Sequence, residues 1–330
     1  MTFDFDAYVT SALFDRSGRT LFALGDGTVR AVAAGGFVTV EAHAGAILAA
    51  CGHPSGDGIL TGGDDGRVVW TRLDGDEIAA TLVAEVKGRW IDAVAASAES
   101  GLIAFAAGRD LHVRDSQDAA FTRVFTHEKS VSDVAFDPKG RRIATATYGG
   151  AALWYARIAE QKPSLLKWAG AHSLVAFSPD GKFLMSAMQE NSLHGWTVAD
   201  GKNMRMGGYP AKVKSMAFLS GGVMLATSGA NGAVVWPFSG ATGPMGKEAA
   251  EIGFDQSALV VRVAATPKLS LLAAGLDDGR VWVADLKSGS MDTLKAEKGA
   301  AISALAITAE GGRVAWGDED GAAGVVERVL

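Results

Sequence analysis

Eight copies of one pattern follow each other along the chain: an apolar segment, a turn, a second apolar segment, a tight hairpin rich in Gly, Asp or Asn, and a third segment. Clear copies are residues 131–155, 174–196 and 213–237. Equivalent positions in the eight copies are Phe14, Gly52, Ala96, Phe136, Phe177, Phe218, Ala265 and Ile307. Their separations are 38, 44, 40, 41, 41, 47 and 42 residues. A period near forty with several short strands per unit is typical of a propeller blade of four antiparallel strands.

The pattern therefore predicts an all-β fold, a single propeller domain over residues 1–330 with eight four-stranded blades, or seven as the alternative. A hydrophobic content of 48% with 42 Gly and 8 Pro suits a strand-rich fold with many tight turns. The last copy has no evident fourth strand, whereas residues 2–6 alternate apolar and polar side chains before the first copy. Pairing of that N-terminal segment with the last blade is expected to close the ring, because it removes two exposed strand edges.

Particular side chains give the repeats a family resemblance. Copy two has His43 before its first strand, Thr61 on the second, Asp65 in the hairpin and Trp70 on the third. Copy four has the corresponding residues His127, Thr145 and Trp154, with Gly149 in place of the acid. These units resemble WD40 repeats over essentially the whole chain. The resemblance implies that each such set forms a structural hydrogen-bonded network inside its blade.

Charge and cysteine content bear on partners and compartment. The formal net charge of −6 argues against binding to nucleic acid or to an anionic membrane, since both attract clustered Lys and Arg. With one cysteine, the chain forms no internal disulfide, and its first residues do not resemble a secretory signal. We therefore expect a cytoplasmic protein. The composition, rich in Ala and Gly, indicates a bacterial origin.

No group of side chains indicates catalysis or a cofactor. The histidines show no metal-ligand spacing, and those of copies two and four fit the structural network instead. His172 and His194 both belong to copy five and form the pair with the strongest claim to a site. The acidic run Asp318–Asp320 lacks the later glutamate of a calcium loop and is interpreted as a solvated hairpin. We expect no catalytic residue, no metal and no cofactor.

The hairpins and the connections between blades are expected to lie on one face of a WD40-like disc, and their charges differ around the ring. Copies seven, eight, one and two contribute acids: Asp277, Asp278, Asp318, Glu319, Asp320, Asp26, Asp64 and Asp65. Copies three to six contribute Arg89, Trp90, Arg109, Lys129, Lys212 and Lys214. Trp90 occupies no repeat position, so it either binds a partner or folds over its own blade. The pattern predicts a docking face of two opposite charges.

Three functions are compatible with this sequence. The first is a scaffold or adaptor without catalytic activity that binds another protein on the face just described. The second is a propeller enzyme, or a binder of a small ligand or metal, that uses the central channel. That alternative is disfavoured because the first strands carry mostly Val, Ala, Ser and Leu. RNA binding through Trp90 and the basic half is weaker still, because no array of stacking aromatics is present.

Overall fold

Tight hairpins set the local geometry of the copies. Gly27 in copy one has a φ of 87°, and a Cβ at this position would lie 2.4 Å from the carbonyl oxygen of Gly45. Gly279 in copy seven has a φ of 86°, with the backbone nitrogen of Gly299 at 2.7 Å from such a Cβ. Glycine alone accommodates both the positive φ and the close approach. The chain reverses at these points, and the flanking apolar segments pair as antiparallel strands.

The computed structural model describes residues 1–75 and 77–328 and begins with β1 (Thr2–Asp4). The first three copies each form a four-stranded antiparallel sheet. Copy one forms β2 (Val9–Phe14), β3 (Thr20–Leu24), β4 (Thr28–Ala33) and β5 (Gly36–Glu41). Copy two forms β6 (Ile47–Gly52), β7 (Ile59–Gly63), β8 (Arg67–Asp74) and β9 (Glu77–Glu85). Copy three forms β10 (Ala93–Ser97), β11 (Leu102–Ala107), β12 (Asp110–Asp115) and β13 (Thr122–Thr126).

Copies four and five share one six-stranded sheet. Its strands are β14 (Val131–Phe136), β15 (Arg142–Tyr155), β16 (Ser164–Phe177), β17 (Phe183–Met188), β18 (Leu193–Thr197) and β19 (Asn203–Met206). The long strands β15 and β16 each supply two successive segments. Residues 143–147 of β15 pair with β14, and residues 148–153 pair with β16. Residues 172–177 of β16 then pair with β17.

The last three copies return to four-stranded sheets. Copy six forms β20 (Met216–Leu219), a 3-10 turn (Ser220–Gly222), β21 (Met224–Thr227), β22 (Ala233–Pro237) and β23 (Ala250–Ile252). Copy seven forms β24 (Val260–Ala265), β25 (Leu271–Leu276), β26 (Val281–Asp285) and β27 (Ser290–Lys295). Copy eight forms β28 (Ile302–Ile307), β29 (Arg313–Asp318) and β30 (Ala322–Glu327), and β1 completes its sheet.

The all-β propeller is confirmed, but the prediction of eight separate four-stranded blades is wrong. The described residues form seven sheets, the number given as the alternative, because the fourth sheet takes up two copies of the repeat. The reason lies in two glycines. Gly150, at the reversal inside β15, has a φ of 135°, and Gly170, inside β16, has a φ of 120°. Glycine adopts such positive φ values readily, and at these two positions β15 and β16 continue without a break, so the hydrogen bonding runs from copy four into copy five.

The first strands of the copies lie innermost. Strand β2 packs against β6 and β28, β10 packs against β6 and β14, and β24 packs against β20 and β28. The second strands are largely buried, and Leu102–Ala107 and Leu271–Leu276 are buried at every residue. Hydrophobic clusters therefore form between neighbouring copies, for example between β11 and β14. No copy buries its apolar faces without its neighbours, which is the energetic basis of the ring.

The N-terminal segment closes the ring as predicted. β1 pairs antiparallel with β30, with Thr2 opposite Gly324 and Asp4 opposite Ala322. The backbone N–H of Phe5 donates to Gly321 O at 2.9 Å, and the Phe5 ring is 1% exposed. That ring lies 5.3 Å from Phe22 and thus connects the sheet of copy eight to the sheet of copy one. The ring is therefore closed by strand pairing and by the buried side chain of Phe5.

Removal of the Phe5 side chain is expected to destabilise the whole propeller. Phe5→Ala should lower the free energy of unfolding by about 3–5 kcal/mol, because it leaves a cavity in a fully buried site. Deletion of residues 1–6 should lower the melting temperature by several degrees, since β30 also loses its partner. Circular dichroism melts and urea titrations measure both effects. The matched control is Phe254→Ala, at a ring that is 63% exposed; equal curves for the two alanine variants would contradict the closure.

Candidate functional site

The second-to-third-strand hairpins and the connections between copies lie on one face, which we call the hairpin face. Hydrogen bonds tie each hairpin to the following connection. Gly27 O accepts from the backbone N–H groups of Ala42 and His43 at 3.1 and 3.0 Å, and Gly66 O accepts from Val86 N at 2.8 Å. The same arrangement recurs in copy seven, where Asp278 O accepts from Gly299 N at 2.9 Å. A belt of backbone hydrogen bonds therefore fixes the loops that a partner would meet.

The predicted basic residues are displayed on the hairpin face of copies three to six. Arg89, Arg109, Lys129 and Lys214 are exposed, and Trp90 is 66% exposed, so this indole does not fold over its own blade. Lys212 is half-buried, and its Nζ donates to Gln189 Oε1 at 2.6 Å.

The predicted acidic residues divide into exposed and engaged groups. Asp277, Glu319 and Asp320 are exposed. Asp278 is bound by Arg280, with Nε to Oδ2 at 2.9 Å, and by Lys298 Nζ at 3.2 Å. Asp318 is 3% exposed, and its Oδ1 accepts from Asp320 N and Ala322 N at 3.1 and 2.8 Å. Asp278 and Asp318 therefore hold their own turns.

Copy two contains the expected polar network, with one difference. His43 Nε2 lies 2.8 Å from Thr61 Oγ1, and His43 Nδ1 lies 3.0 Å from Asp65 Oδ1. Burial raises the pKa of Asp65, but hydrogen bonds from His43 and from the backbone amides of Arg67 and Ala44 outweigh it and hold that pKa below its usual value. The structure places Trp70 outside the network. Its Nε1 donates to the carbonyl of Asp57 at 2.7 Å.

Copy four assembles its network without an acid. Trp154 Nε1 donates to His127 Nε2 at 2.9 Å, and Thr145 Oγ1 lies 2.9 Å from the same nitrogen. Because Nε2 is an acceptor, Nδ1 carries the proton and donates to Arg109 O at 3.1 Å. Burial is the main cause that lowers the pKa of His127, so the ring is neutral. A carbonyl thus takes the place that the Asp65 carboxylate holds in copy two.

Copy six contains an equivalent network that the sequence analysis missed. Tyr209 OH lies 2.7 Å from Thr227 Oγ1 and accepts from Trp236 Nε1 at 2.6 Å. Tyr209 precedes Thr227 by 18 residues and Trp236 by 27, the spacings that join His127 to Thr145 and to Trp154. A search by spacing instead of by residue type would have found it.

Copy five has only part of such a network. His172 Nδ1 lies 2.8 Å from Ser186 Oγ, and His172 Nε2 lies 3.1 Å from Trp168 O. His194 is fully buried and stacks on Trp168 at 4.0 Å, and burial lowers its pKa to about 4. Within the described residues, no group of three or more His, Cys, Asp or Glu side chains is placed to hold a metal ion.

The Tyr209 network should contribute measurably to stability. Tyr209→Phe leaves Trp236 Nε1 without its acceptor in a largely buried site, which should cost about 1–3 kcal/mol in the free energy of unfolding. Urea denaturation followed by fluorescence gives this quantity. Tyr155→Phe is the control, because Tyr155 is 53% exposed. Equal stability of the two variants would contradict a structural role for the Tyr209 hydroxyl.

Side chains on the innermost strands connect neighbouring copies around the channel. Ser303 Oγ donates to Val9 O at 2.6 Å, and Thr10 Oγ1 donates to Ile47 O at 3.1 Å. Both hydroxyls sit where a bulge takes one residue out of the strand pairing. The bulge turns the side chain toward the next copy. In copy four the residue after the equivalent bulge, Asp133, connects to copy five, since its Oδ2 accepts from the N–H of Val175 at 2.8 Å.

The carboxyl group of Asp133 has a raised pKa. Burial raises its pKa to about 7, and the Asp92 carboxylate adds to this, although hydrogen bonds from Val175 and Val134 oppose the shift. The folded state therefore favours the protonated acid. Its contribution to stability is complete below the ordinary carboxyl pKa and is lost as the pH rises through about 7.

An Asp133→Asn variant should change this pH dependence. The amide oxygen still accepts from Val175, but no charge forms in the channel, so the variant should gain stability over the original chain as the pH rises toward about 8. Melting temperatures of both proteins, measured from the ordinary carboxyl pKa up to about pH 8, give the difference in their stability. The control is Glu160→Gln, which removes an exposed carboxyl group. If the melting temperatures of the original chain and of Asp133→Asn change in parallel with pH, the carboxyl group of Asp133 titrates normally.

Comparisons with known proteins agree with the repeat pattern and the fold. The family described as "WD domain, G-beta repeat" matches residues 37–70 and 120–154. These segments end at Trp70 and Trp154 and include His43 and His127. These two segments of the chain are therefore similar to WD40 repeats, in agreement with the propeller fold.

The curated relatives are much longer proteins. Telomerase protein component 1 of Mus musculus is 26% identical over 186 residues, which is 55% of this chain and 7% of that protein. The Rattus norvegicus protein of the same name is 25% identical over the same shares. The chain therefore spans a small part of these relatives. Both are mammalian, so the bacterial origin is not supported and stays a prediction.

A solved structure extends the likeness to nearly the whole chain. The crystal structure of the computationally designed Ika8 protein aligns with a TM-score of 0.78 over 98% of both chains, at 17% identity. At that identity the likeness concerns the fold alone.

No helix in the described part of the chain is long and apolar enough to cross a membrane.

Proposed function

We propose that this chain is a WD40-like scaffold, one propeller domain over residues 1–330, that binds another protein on its hairpin face. The observation that supports this most directly is the rigid display of opposite charges on that face. Hydrogen bonds fix the backbone on both sides of Trp90, at Arg89 and Ile91, and also at Lys214, while others fix Asp277 and Glu319. A preformed surface loses little entropy on binding.

The exposed Trp90 is the proposed anchor of the interface. An indole that is 66% exposed carries apolar area with few rotamers to restrict, and interface energy concentrates in Trp and Arg side chains. Arg89 and Arg109 lie in neighbouring loops, because the Arg89 guanidinium reaches the Gly108 turn. The cations would orient an acidic partner and speed its encounter.

WD40 propellers in general act as scaffolds without catalytic activity, and both matched relatives are named "Telomerase protein component 1". A role in assembly is the proposal that these names support for this chain. We propose no cofactor and no nucleic-acid or membrane partner, and a cytoplasmic location. An enzyme or ligand binder acting through the channel remains the alternative, although the described residues contain no group of three or more His, Cys, Asp or Glu placed to hold a metal ion.

Charge reversal tests the proposed face. Lys212→Glu with Lys214→Glu, or Trp90→Ala alone, should reduce recovery of the partner about tenfold or more in a quantitative pull-down from native lysate. Lys139→Glu with Lys182→Glu is the matched control, because it changes the net charge equally on the turns of the opposite face. Melting curves verify that the variants fold. Equal recovery by all variants would remove the hairpin face from consideration.

A further inference from the structure

A groove of about 590 Å³ runs along the outer side of copy four. It lies between the connection that carries Lys129, the hairpin at residues 147–150 and the segment at residues 162–167. Its floor is formed by Trp154, which is 6% exposed and is held by stacking on Phe125 at 4.7 Å and by its hydrogen bond to His127. The floor is therefore rigid, whereas its upper walls are open to solvent.

The groove occurs where copy four departs from copy two. In copy two, the Asp65 carboxylate crosses from the hairpin to His43 and fills this position. Copy four has Gly149 there, and a Cβ on Gly149 would contact nothing within 4 Å. The strand pairing also shifts between Tyr148 and Gly150. Although the carbonyl of Arg109 replaces the carboxylate as hydrogen-bond partner of His127, no side chain extends from Gly149, and this residue lines the groove.

The charge of the groove is opposite to that of the chain. Three exposed lysines line it, Lys129, Lys162 and Lys167, against one acid, Glu128. Among the described residues, none of the three ammonium groups comes within 4.0 Å of a carboxylate oxygen. The whole chain has a net charge of −6. This local concentration of unpaired cations complements an anionic ligand.

Apolar side chains at the rim restrict the ligand further. Tyr148 is 67% exposed and Leu165 is 58% exposed, and both line the groove beside Pro163. Leu165 stands on β16 opposite Ala152, so its position is fixed by the sheet. Aliphatic and aromatic side chains fit such a wall, and their burial contributes about 25 cal/mol per Å².

We propose that this groove binds an acidic peptide segment whose carboxylates pair with Lys162, Lys167 and Lys129 and whose apolar side chain packs against Leu165 and Tyr148. The inference rests on the proposed function as a protein scaffold and assigns a second contact region, which begins at the edge of the hairpin face and shares Lys129 with it. A single-stranded RNA is the less suitable anion. Its bases need several exposed aromatic planes, and Tyr148 is the one exposed aromatic ring that lines the groove.

A displayed library of random peptides of about twelve residues, each spanning roughly 40 Å when extended, tests the inference without a known partner. The library is selected on the full chain and counted by sequencing. Enriched peptides are labelled, and their Kd is measured by fluorescence anisotropy. The variants are Lys162→Glu with Lys167→Glu, and Leu165→Ser. The control is Lys139→Glu with Lys182→Glu, which has the same net charge as the double variant. A labelled oligouridine is titrated in parallel.

The expected result is enrichment of peptides that combine Asp or Glu with an apolar residue. Their Kd should rise about tenfold or more in the double variant and in Leu165→Ser, and stay within about twofold in the control. Added salt should weaken binding. The proposal that the groove binds acidic peptides would be overturned by any of three results. These are no enrichment, enrichment of peptides without acids, or equal Kd values for the double variant and the control. Oligouridine that binds more tightly than the peptides and loses affinity in the double variant would also overturn it.

The two proposals fail separately. A partner whose recovery depends on Lys212 and Lys214 but not on Lys162 and Lys167 would leave the scaffold function intact and remove the groove. Acidic peptides bound in the groove, with a pull-down that is insensitive to Trp90, Lys212 and Lys214, would remove the hairpin face instead.

Discussion

The pairing of β1 with β30 is the contact on which the rest of the fold depends. Each copy covers its apolar faces with its neighbours, so an open array would leave the first and last sheets exposed to water. Phe5 fills the space between those two sheets, and the hydroxyl of Ser303 bonds across the same junction to Val9. Because the ring is closed, every sheet packs against a neighbouring sheet on both of its faces.

In copies two, four and six, polar networks join the segment before the first strand to the second strand, and the structure shows that geometry matters more than residue type. A histidine supports Thr145 and Trp154 in copy four, and Tyr209 does the same in copy six. Buried donors need acceptors at fixed positions, so any side chain that presents an acceptor there serves. This is the reason that a motif defined by histidine identifies some copies and misses others.

Departures from the repeat coincide with the proposed binding regions. Trp90 has no equivalent among the repeat positions, and it is the exposed aromatic next to the basic loops. Gly149 stands where copy two has an acid, and it lines the groove of copy four. The positions that maintain the ring are constrained by packing, whereas the positions that differ between copies are free to meet a partner.

The period near forty, the glycine hairpins and the alternating N-terminal segment were enough to predict an all-β propeller closed by its first strand, because these features act over a few residues. They could not predict that copies four and five share one sheet, since this depends on how Gly150 and Gly170 are held against neighbouring strands. Sequence also placed Asp318 among the docking acids, while burial and two backbone hydrogen bonds make it a turn residue. Exposure and pairing arise when distant segments meet, and the tertiary structure alone decided them.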